Sequence, residues 1–256
     1  MIKRDLQRNI DLFVILVKKE ITLKYKRTVL GLAWSLLNPV LMALVYYLAF
    51  SVFMRIKMEN YALFLLSALF PWNWFSASVL MSVNTLTGNT DLIRKVVFPK
   101  HFLVLSLVAG QSVTMLFSIP VLAAILVFGG KMPGIEWLYG VPILIIIQFI
   151  TLSGAAMAVS IVNVFFRDLE YIAGVFMTML FWLTPVIYPL SAVPEKFRVL
   201  LAANPMLYLI ESWRSLIMHN AINWQYIGFA FAASVMFLLA GIIIFKALEK
   251  KIDGVI

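Results

Sequence analysis

The sequence has no cysteine and only two histidines among its 256 residues. Without cysteine, the chain can form neither disulfide bridges nor thiolate metal sites. The histidines, His101 and His219, are far apart in the sequence and do not suggest a metal centre or an acid–base pair. We therefore expect no metal site, no catalytic residue and no cofactor in this chain.

Charged residues are also scarce, at 13% of the chain, whereas a soluble domain has about 25%. Hydrophobic residues make up 63%. A transmembrane helix needs about 20 apolar residues, so the chain has room for about six such helices and their short connections. This composition predicts an all-α integral membrane protein.

Two features of energy-converting proteins are missing from the sequence. The chain has no Gly-x-x-x-x-Gly-Lys-Ser/Thr loop to hold the phosphates of a nucleotide, and the nearest stretch, at 129–132, lacks the first glycine and the hydroxyl. No acidic residue lies deep within a predicted span, where proton- or sodium-coupled carriers usually keep one. Any uphill transport by this chain must therefore draw its energy from another protein.

Six apolar runs are long enough to cross a membrane. They are predicted to cover residues 31–54, 61–83, 102–128, 138–165, 171–189 and 226–247. With the connections placed alternately on the two sides, fifteen of the 21 lysines and arginines fall on one side. The positive-inside rule makes that side cytoplasmic, together with both termini. The same bias explains the net charge of +9 without a nucleic-acid partner.

Residues 1–30 precede the first span and carry eight basic residues. Their apolar side chains recur three and four positions apart, as in an amphipathic helix lying in a membrane surface. We therefore divide the chain into an interface helix, residues 1–30, and a transmembrane domain, residues 31–256. Lys24, Lys26 and Arg27 stand where the two meet. They are consistent either with anchoring to anionic lipid or with binding a pyrophosphate-linked lipid head.

The segment 89–100, between the second and third spans, is more than a plain turn. Its sequence, NTDLIRKVVFPK, combines an apolar stripe with a basic edge and predicts a short amphipathic helix that ends near Pro99. On the cytoplasmic side, such a helix is suited to contact another protein.

A second segment, at about 190–218, is too polar to span the membrane and predicts short helices at the outer face. In this segment Glu211 and Arg214 are spaced to form a local ion pair.

Polar and aromatic side chains in three spans predict a path through the membrane. In the first span Ser35, Asn38, Met42 and Tyr46 share one face beside Pro39, which suits either packing between helices or the lining of a conduit. Aromatic clusters in the second and fifth spans suit either the membrane interface or stacking on sugar faces. The candidate lining residues are Ser35, Asn38, Met42, Tyr46, Trp72, Trp74, Thr178, Phe181 and Trp182.

Five stretches, in order and in register, resemble one family. They are KYKRTVLGLAW at 24–34 with Asn38 and Pro39, LFPW at 69–72, LIRKVVFPK at 92–100, NVFFRD at 163–168, and PVIYP at 185–189 with NPM at 204–206 and ESWR at 211–214. These stretches resemble the membrane subunits of type-2 ABC exporters for lipid-linked polysaccharide. The likeness is greatest to O-antigen permeases, with teichoic-acid and capsule permeases nearby.

The resemblance implies that two copies form a channel in the bacterial cytoplasmic membrane. It also implies that each copy binds a separate ATPase subunit, which holds the ATP and magnesium. By the same resemblance, the coupling contacts fall on Asp91, Leu92, Ile93, Arg94, Lys95, Val96, Phe98, Arg167 and Asp168. The outer gate is implied at Tyr188, Arg198, Glu211 and Arg214.

Other functions remain open at the level of sequence. A permease of the same fold could export a smaller lipid or a drug. A membrane glycosyl- or acyltransferase acting on lipid-linked sugars would need convergent carboxylates or histidines, which the sequence does not provide. A pure interaction scaffold is a third alternative, although the long outer segment argues against it.

Overall fold

The computed structural model describes residues 2–26, 30–31, 33–55, 58 and 60–254, and at 2–6, 25, 35 and 253 it describes the backbone. This part of the chain folds into ten α-helices. They are α1 (Ile2–Tyr25), α2 (Ala33–Tyr46), α3 (Tyr61–Val83), α4 (Thr90–Lys95), α5 (His101–Phe128), α6 (Glu136–Phe165), α7 (Leu169–Leu183), α8 (Glu195–Ala202), α9 (Pro205–His219) and α10 (Trp224–Glu249). A π-helical segment, Tyr47–Phe53, continues α2.

Five stretches of helix are long and apolar enough to cross a membrane. They are Leu36–Phe53, which joins α2 to its π-helical continuation, and the helices α3, α5, α6 and α10. The structure thus has the all-helical architecture that the composition predicted, with spans close to five of the six predicted ranges.

The remaining span was predicted to end at residue 189, but the helix found there ends earlier. There α7 has 15 residues and stops at Leu183. Thr184 is extended because it precedes Pro185, whose ring disfavours helical backbone in the residue before it. A 15-residue helix is about 22 Å long, shorter than the roughly 30 Å hydrocarbon core of a bilayer.

The centre of the bundle is α3, which packs on α2, α5, α6, α7 and α9. It is apolar on all sides, as expected of a helix enclosed by others. Pro71 lies inside it, and the Pro71 carbonyl accepts a hydrogen bond from Gln148 Nε2 at 2.8 Å. Gln148 Oε1 in turn accepts from Trp213 Nε1 at 2.9 Å. This buried amide therefore links α3 to α6 and α9.

The closest helix pair is α6 and α10, whose backbones meet at two glycines. A Cβ on Gly154 would lie 2.2 Å from the Phe237 carbonyl oxygen, and one on Gly241 would lie 2.2 Å from the Gly154 oxygen. One turn away, the hydroxyls of Thr151 and Ser234 are 2.7 Å apart. Small residues with a hydroxyl contact are the usual means of bringing membrane helices together.

The first helix runs beside α5 in the same direction. The rings of Phe13 and Phe102 are 5.9 Å apart, and a Cβ on Gly110 would lie 3.2 Å from Glu20 Cβ. Leu16 is buried in this contact region. The interface helix predicted over 1–30 ends at Tyr25, and α2 begins at Ala33.

The chain's course places two sets of short elements at opposite ends of the bundle. At one end, called here the α4 end, lie α4 and the turn between α6 and α7. At the other, the α9 end, lie α8 and α9. Asn204 begins α9 as its N-cap, because its side-chain oxygen accepts from the Met206 N–H at 3.0 Å and Pro205 occupies the first turn.

Candidate conduit and coupling surface

A cavity of about 340 Å³ lies between α2, α3 and α7. We call it the aromatic groove. Seven of the nine candidate lining residues contribute to its wall, namely Asn38, Met42, Tyr46, Trp72, Thr178, Phe181 and Trp182. The helical spacing on α2 brings the first three to one face, as predicted, and α3 and α7 supply the rest. The structure therefore brings together residues from three separate stretches of sequence.

Phe181 is the centre of the aromatic contacts in this groove. Its ring stacks on Tyr46 at 5.9 Å and lies 5.5 Å from Trp72 and 5.7 Å from Trp182. Trp72 is buried, whereas Trp182 is 53% exposed. The pairs with Tyr46 and Trp72 join different helices and stabilise their contact by about 0.5–1.5 kcal/mol each. The rings thus hold α2 and α7 against α3 while leaving the Trp182 face open.

Trp74 departs from the prediction, since it does not line the aromatic groove. It lines a neighbouring cavity of about 460 Å³, called here the polar cavity, together with Lys24 and Gln111. The reason is geometric, because residues two apart on an α-helix point to different sides. Trp74 is buried, and its indole Nε1 has no hydrogen-bond partner among the described atoms. Asn38 and Asn73 line both cavities, so the two adjoin.

The structure describes two of the three basic residues at the end of the interface helix, and these two have different surroundings. Lys24 points into the polar cavity, where its ammonium donates to Gln111 Oε1 at 2.5 Å and Thr114 Oγ1 at 2.9 Å. Lys26 is exposed. Arg27 and the side chain of Ser35 lie outside the described residues. Lys24 therefore reaches the polar cavity, whereas Lys26 is exposed on the surface.

The segment 89–100 forms a shorter helix than its sequence predicts. Helix α4 ends at Lys95, and Val96 is already extended with φ −132° and ψ 132°. Two consecutive β-branched residues, Val96 and Val97, favour that extended backbone. The prediction of a helix reaching Pro99 is therefore wrong by about one turn.

The two sides of α4 face different surroundings. Ile93 is buried, and Leu92 and Phe98 pack partly buried against the core of this same chain. The polar side chains Asp91, Arg94 and Lys95 are exposed, as are the turn residues Arg167 and Asp168 at the same end of the bundle; Val96 is exposed as well. The exposed surface of the segment thus combines its three charged side chains with two valines, Val96 and Val97.

Two contacts that the sequence did not suggest hold α4 in place. Lys19 Nζ donates to Asn89 Oδ1 at 2.6 Å, and Asn89 Nδ2 donates to the Thr85 carbonyl at 2.8 Å. The neighbour of Lys19 in α1, Glu20, is partly buried, and this burial raises the pKa of its carboxyl group while the Lys19 ammonium lowers it. At the ends of α3 and α6, Asn163 Nδ2 donates to Asn84 Oδ1 at 3.1 Å. The start of α4 is therefore tied to α1 and to the turn that follows α3.

Three of the four outer-gate candidates bind backbone carbonyls at the end of α7 or in the segment after it, and the fourth, Glu211, pairs with Arg214. The Tyr188 hydroxyl donates to the Trp182 carbonyl at 2.7 Å, and Arg198 Nε donates to the Val193 carbonyl at 2.9 Å. Arg214 Nη2 donates to the carbonyls of Pro185, at 2.8 Å, and Val186, at 3.0 Å. The pair between Arg214 and Glu211 is present as predicted. These side chains thus fix the path of residues 182–193.

Comparison with known proteins identifies the family to which these features belong. The sequence profile of the ABC-2 type transporter family matches residues 11–218. A Klebsiella pneumoniae protein named O-antigen export system permease protein RfbA is 37% identical over 241 residues, which are 94% of this chain and 93% of the relative. A second protein of that name from the same organism is 35% identical over the same share of each chain.

A more distant relative covers the chain almost completely. The O-antigen export system permease protein RfbA of Myxococcus xanthus is 32% identical over 252 residues, which are 97% of this chain and 96% of the relative. Among the described residues, no group of three or more His, Asp or Glu side chains is placed to hold a metal ion. The chain is a multi-pass membrane protein that belongs to the ABC-2 type transporter family.

Proposed function

We propose that this chain is the channel-forming subunit of an ATP-driven exporter. Its substrate is an O-antigen-like polysaccharide linked to polyprenyl pyrophosphate, which it moves across the bacterial cytoplasmic membrane. The observation that carries this proposal is the aromatic groove, where seven predicted lining residues from three helices meet. The names of the relatives, which are O-antigen export permeases, support the same substrate class.

The groove suits a long hydrophilic polymer for a physical reason. When a glycan enters hydrocarbon, each hydroxyl that loses its hydrogen bonds to water costs several kcal/mol. Aromatic faces such as Trp182 offer a sugar ring contact without the directional bonds that would hold it in one place. Asn38 and Thr178, also in the wall, can exchange hydrogen bonds with passing hydroxyls. The lipid pyrophosphate would meet the Lys24 ammonium in the adjoining polar cavity.

A second copy of the chain completes the conduit. Only 11% of the residues of Leu36–Phe53 are buried, although this stretch forms one wall of the groove. Leu41, Leu44 and Val45 on α2 are exposed. Pairing two copies across this face would enclose the groove between them. In this arrangement α7 and the non-helical segment that follows it together serve as the sixth span, and both termini lie in the cytoplasm.

The energy comes from a partner, since membership of the family implies a separate ATPase subunit. That subunit, present in two copies, holds ATP and magnesium. It contacts the exposed charged edge of α4 and the turn at Arg167 and Asp168. Because Asn89 joins the start of α4 to the turn after α3, and Ile93 packs α4 on the core, a push on α4 moves the spans.

The test is charge reversal on the exposed edge of α4. The double variant Arg94→Glu, Lys95→Glu should abolish export of the glycan while the purified complex still folds and hydrolyses ATP. The matched control is Lys196→Glu, an exposed position on α8 at the opposite end of the bundle, which should export normally. Export by the double variant at the wild-type rate would contradict the coupling role.

A further inference from the structure

A hydrogen bond between two amide side chains joins the two connections at the α4 end of the bundle. Asn163, in the last turn of α6, donates through Nδ2 to Oδ1 of Asn84, the C-cap of α3, at 3.1 Å. Asn163 is 2% exposed, whereas Asn84 is exposed. We call this contact the amide bridge. It links the connection that contains α4 to the connection that contains Arg167 and Asp168.

On the α4 side, backbone hydrogen bonds close the turn between Asn84 and α4. The Asn84 carbonyl accepts from the Gly88 N–H at 2.8 Å, and the Leu86 carbonyl accepts from the Asn89 N–H at 3.2 Å. Helix α4 begins at the next residue, Thr90. A displacement of α4 is therefore passed to Asn84 through a bonded turn.

On the α6 side, the turn that contains Arg167 is closed in the same way. The Phe166 N–H donates to the Val162 carbonyl at 2.9 Å, and the Leu169 N–H donates to the Phe166 carbonyl at 3.2 Å. Asn163 lies four residues before Arg167, which is about one helical turn. A displacement of this turn is therefore passed to Asn163.

The chemistry of Asn163 does not suit a role in packing alone. Its neighbours along the helix, Val162, Val164 and Phe165, are apolar. Leucine has a similar shape and would bury no polar atom. The amide buries two, and its Oδ1 has no hydrogen-bond partner among the described atoms. A buried acceptor without a partner weakens the folded state, so stability does not explain an amide at this position.

We propose that Asn163 is a positioning residue that acts through Asn84 and makes α4 move as one unit with the turn at Arg167 and Asp168. This inference rests on the proposed function, in which the ATPase subunit contacts both surfaces. With the amide bridge in place, a push on either surface displaces α3 and α6 together, and α3 contains Trp72 of the aromatic groove. Without the bridge, each surface moves its own helix, and ATP is hydrolysed without a matching movement of the groove.

The experiment compares ATP hydrolysis with export in the reconstituted complex. The chain and its ATPase partner are placed in proteoliposomes with polyprenyl-pyrophosphate-linked O-antigen, and the ATP hydrolysed per exported glycan is measured. In Asn163→Leu we expect this ratio to rise about fivefold or more, as is typical when coupling between two sites is lost. The unfolding temperature should not fall, because leucine removes the unpartnered acceptor together with the bridge. A purely structural role predicts the reverse, a lower unfolding temperature and an unchanged ratio.

A second variant removes the same bond from its exposed side. Asn84→Ala keeps the test decisive if Asn163→Leu does not fold, and it should raise the ratio to the same extent. The double variant should raise the ratio no further, because both changes remove one interaction. The matched control is Thr87→Ala. It removes a hydroxyl that donates to the Asn84 carbonyl at 3.3 Å within the same turn, leaves the amide bridge intact and should keep the wild-type ratio.

A wild-type ratio in both Asn163→Leu and Asn84→Ala would overturn the proposal, as would an equal rise in Thr87→Ala. The charge-reversal variant Arg94→Glu, Lys95→Glu separates this result from a failure of the proposed function. If that variant exports at the wild-type rate, the coupling role of α4 is contradicted, and the role of the amide bridge with it. If it does not export and the amide variants keep the wild-type ratio, the amide bridge alone is contradicted.

Discussion

At the scale of single residues, Arg214 shows how much a buried side chain can do beyond its local pairing. The sequence predicted only an ion pair with Glu211, three positions earlier. In the structure the guanidinium is 5% exposed, lies 3.7 Å from the centre of the Phe64 ring and bonds two carbonyls after α7. The spacing could predict the pair, but nothing in the sequence indicates which backbone segment will fold over the guanidinium.

Replacing Arg214 should therefore cost more than losing one surface ion pair. In Arg214→Leu the carbonyls of Pro185 and Val186 lose their donor and Glu211 loses its counter-charge. We expect a loss on the order of 3 kcal/mol in the free energy of unfolding. Thermal unfolding of the purified protein in detergent measures it. Arg198→Leu, which removes a partly exposed guanidinium, is the control and should cost less than about 1 kcal/mol. Equal losses would contradict the role given to Arg214.

Trp182 provides the residue-scale test of the aromatic groove. Its ring is 53% exposed, so Trp182→Leu removes a stacking surface without disturbing the core. If the ring stacks on sugar faces, glycan export should fall by about two- to tenfold, which corresponds to one aromatic contact. Trp224→Leu, at a 61% exposed position on α10 outside the groove, is the matched control. Quantifying exported glycan in cells decides the matter, and identical export in both variants would argue against a conduit here.

At the scale of elements, α4 and α7 both end earlier than their sequence patterns predict. The apolar run that includes α7 continues to Pro189, but the rule for residues before proline stops the helix at Leu183. In α4 the pattern correctly predicted a helix with two faces. It could not tell whether the apolar stripe is buried by this chain or by a partner, since both would select the same residues. The structure buries Ile93 within the chain and leaves the charges outside.

The contact between α6 and α10 is an element-scale feature with a clear prediction. Gly241→Ala places a methyl group 2.2 Å from the Gly154 carbonyl oxygen, so the two helices must separate. We expect a loss of about 1–3 kcal/mol in the free energy of unfolding, the usual effect of overpacking a filled core. Gly228→Ala on the same helix meets nothing within 4 Å and should be neutral or stabilising. Chemical denaturation in detergent compares them; a Gly241→Ala protein as stable as Gly228→Ala would contradict the close packing.

At the scale of the whole molecule, the sequence predicted helices and their faces better than it predicted which helices meet. Asn38, Met42 and Tyr46 share a face because of their spacing, and that spacing can be read directly. The contact of Lys24 with Gln111 joins residues 87 positions apart, and it depends on how α1 runs beside α5. No local pattern contains that information. Trp74 was predicted to line the conduit with Trp72 because both belong to one aromatic cluster, although their spacing of two places them on different sides of the helix.

Pairing of two copies is the whole-molecule prediction, and the absence of cysteine makes it straightforward to test. Met42→Cys places a single thiol on the exposed face of α2, and Leu239→Cys places one on the exposed face of α10; the two side chains are 48% and 53% exposed. If α2 faces its counterpart across the conduit, a bifunctional maleimide added to membranes should join most Met42→Cys chains into dimers. Leu239→Cys chains, equally exposed but facing lipid, should stay monomeric on a denaturing gel. Cross-linking at Leu239→Cys in place of Met42→Cys would put the interface on α10 and leave the aromatic groove open to the bilayer, where a hydrophilic polymer could not pass.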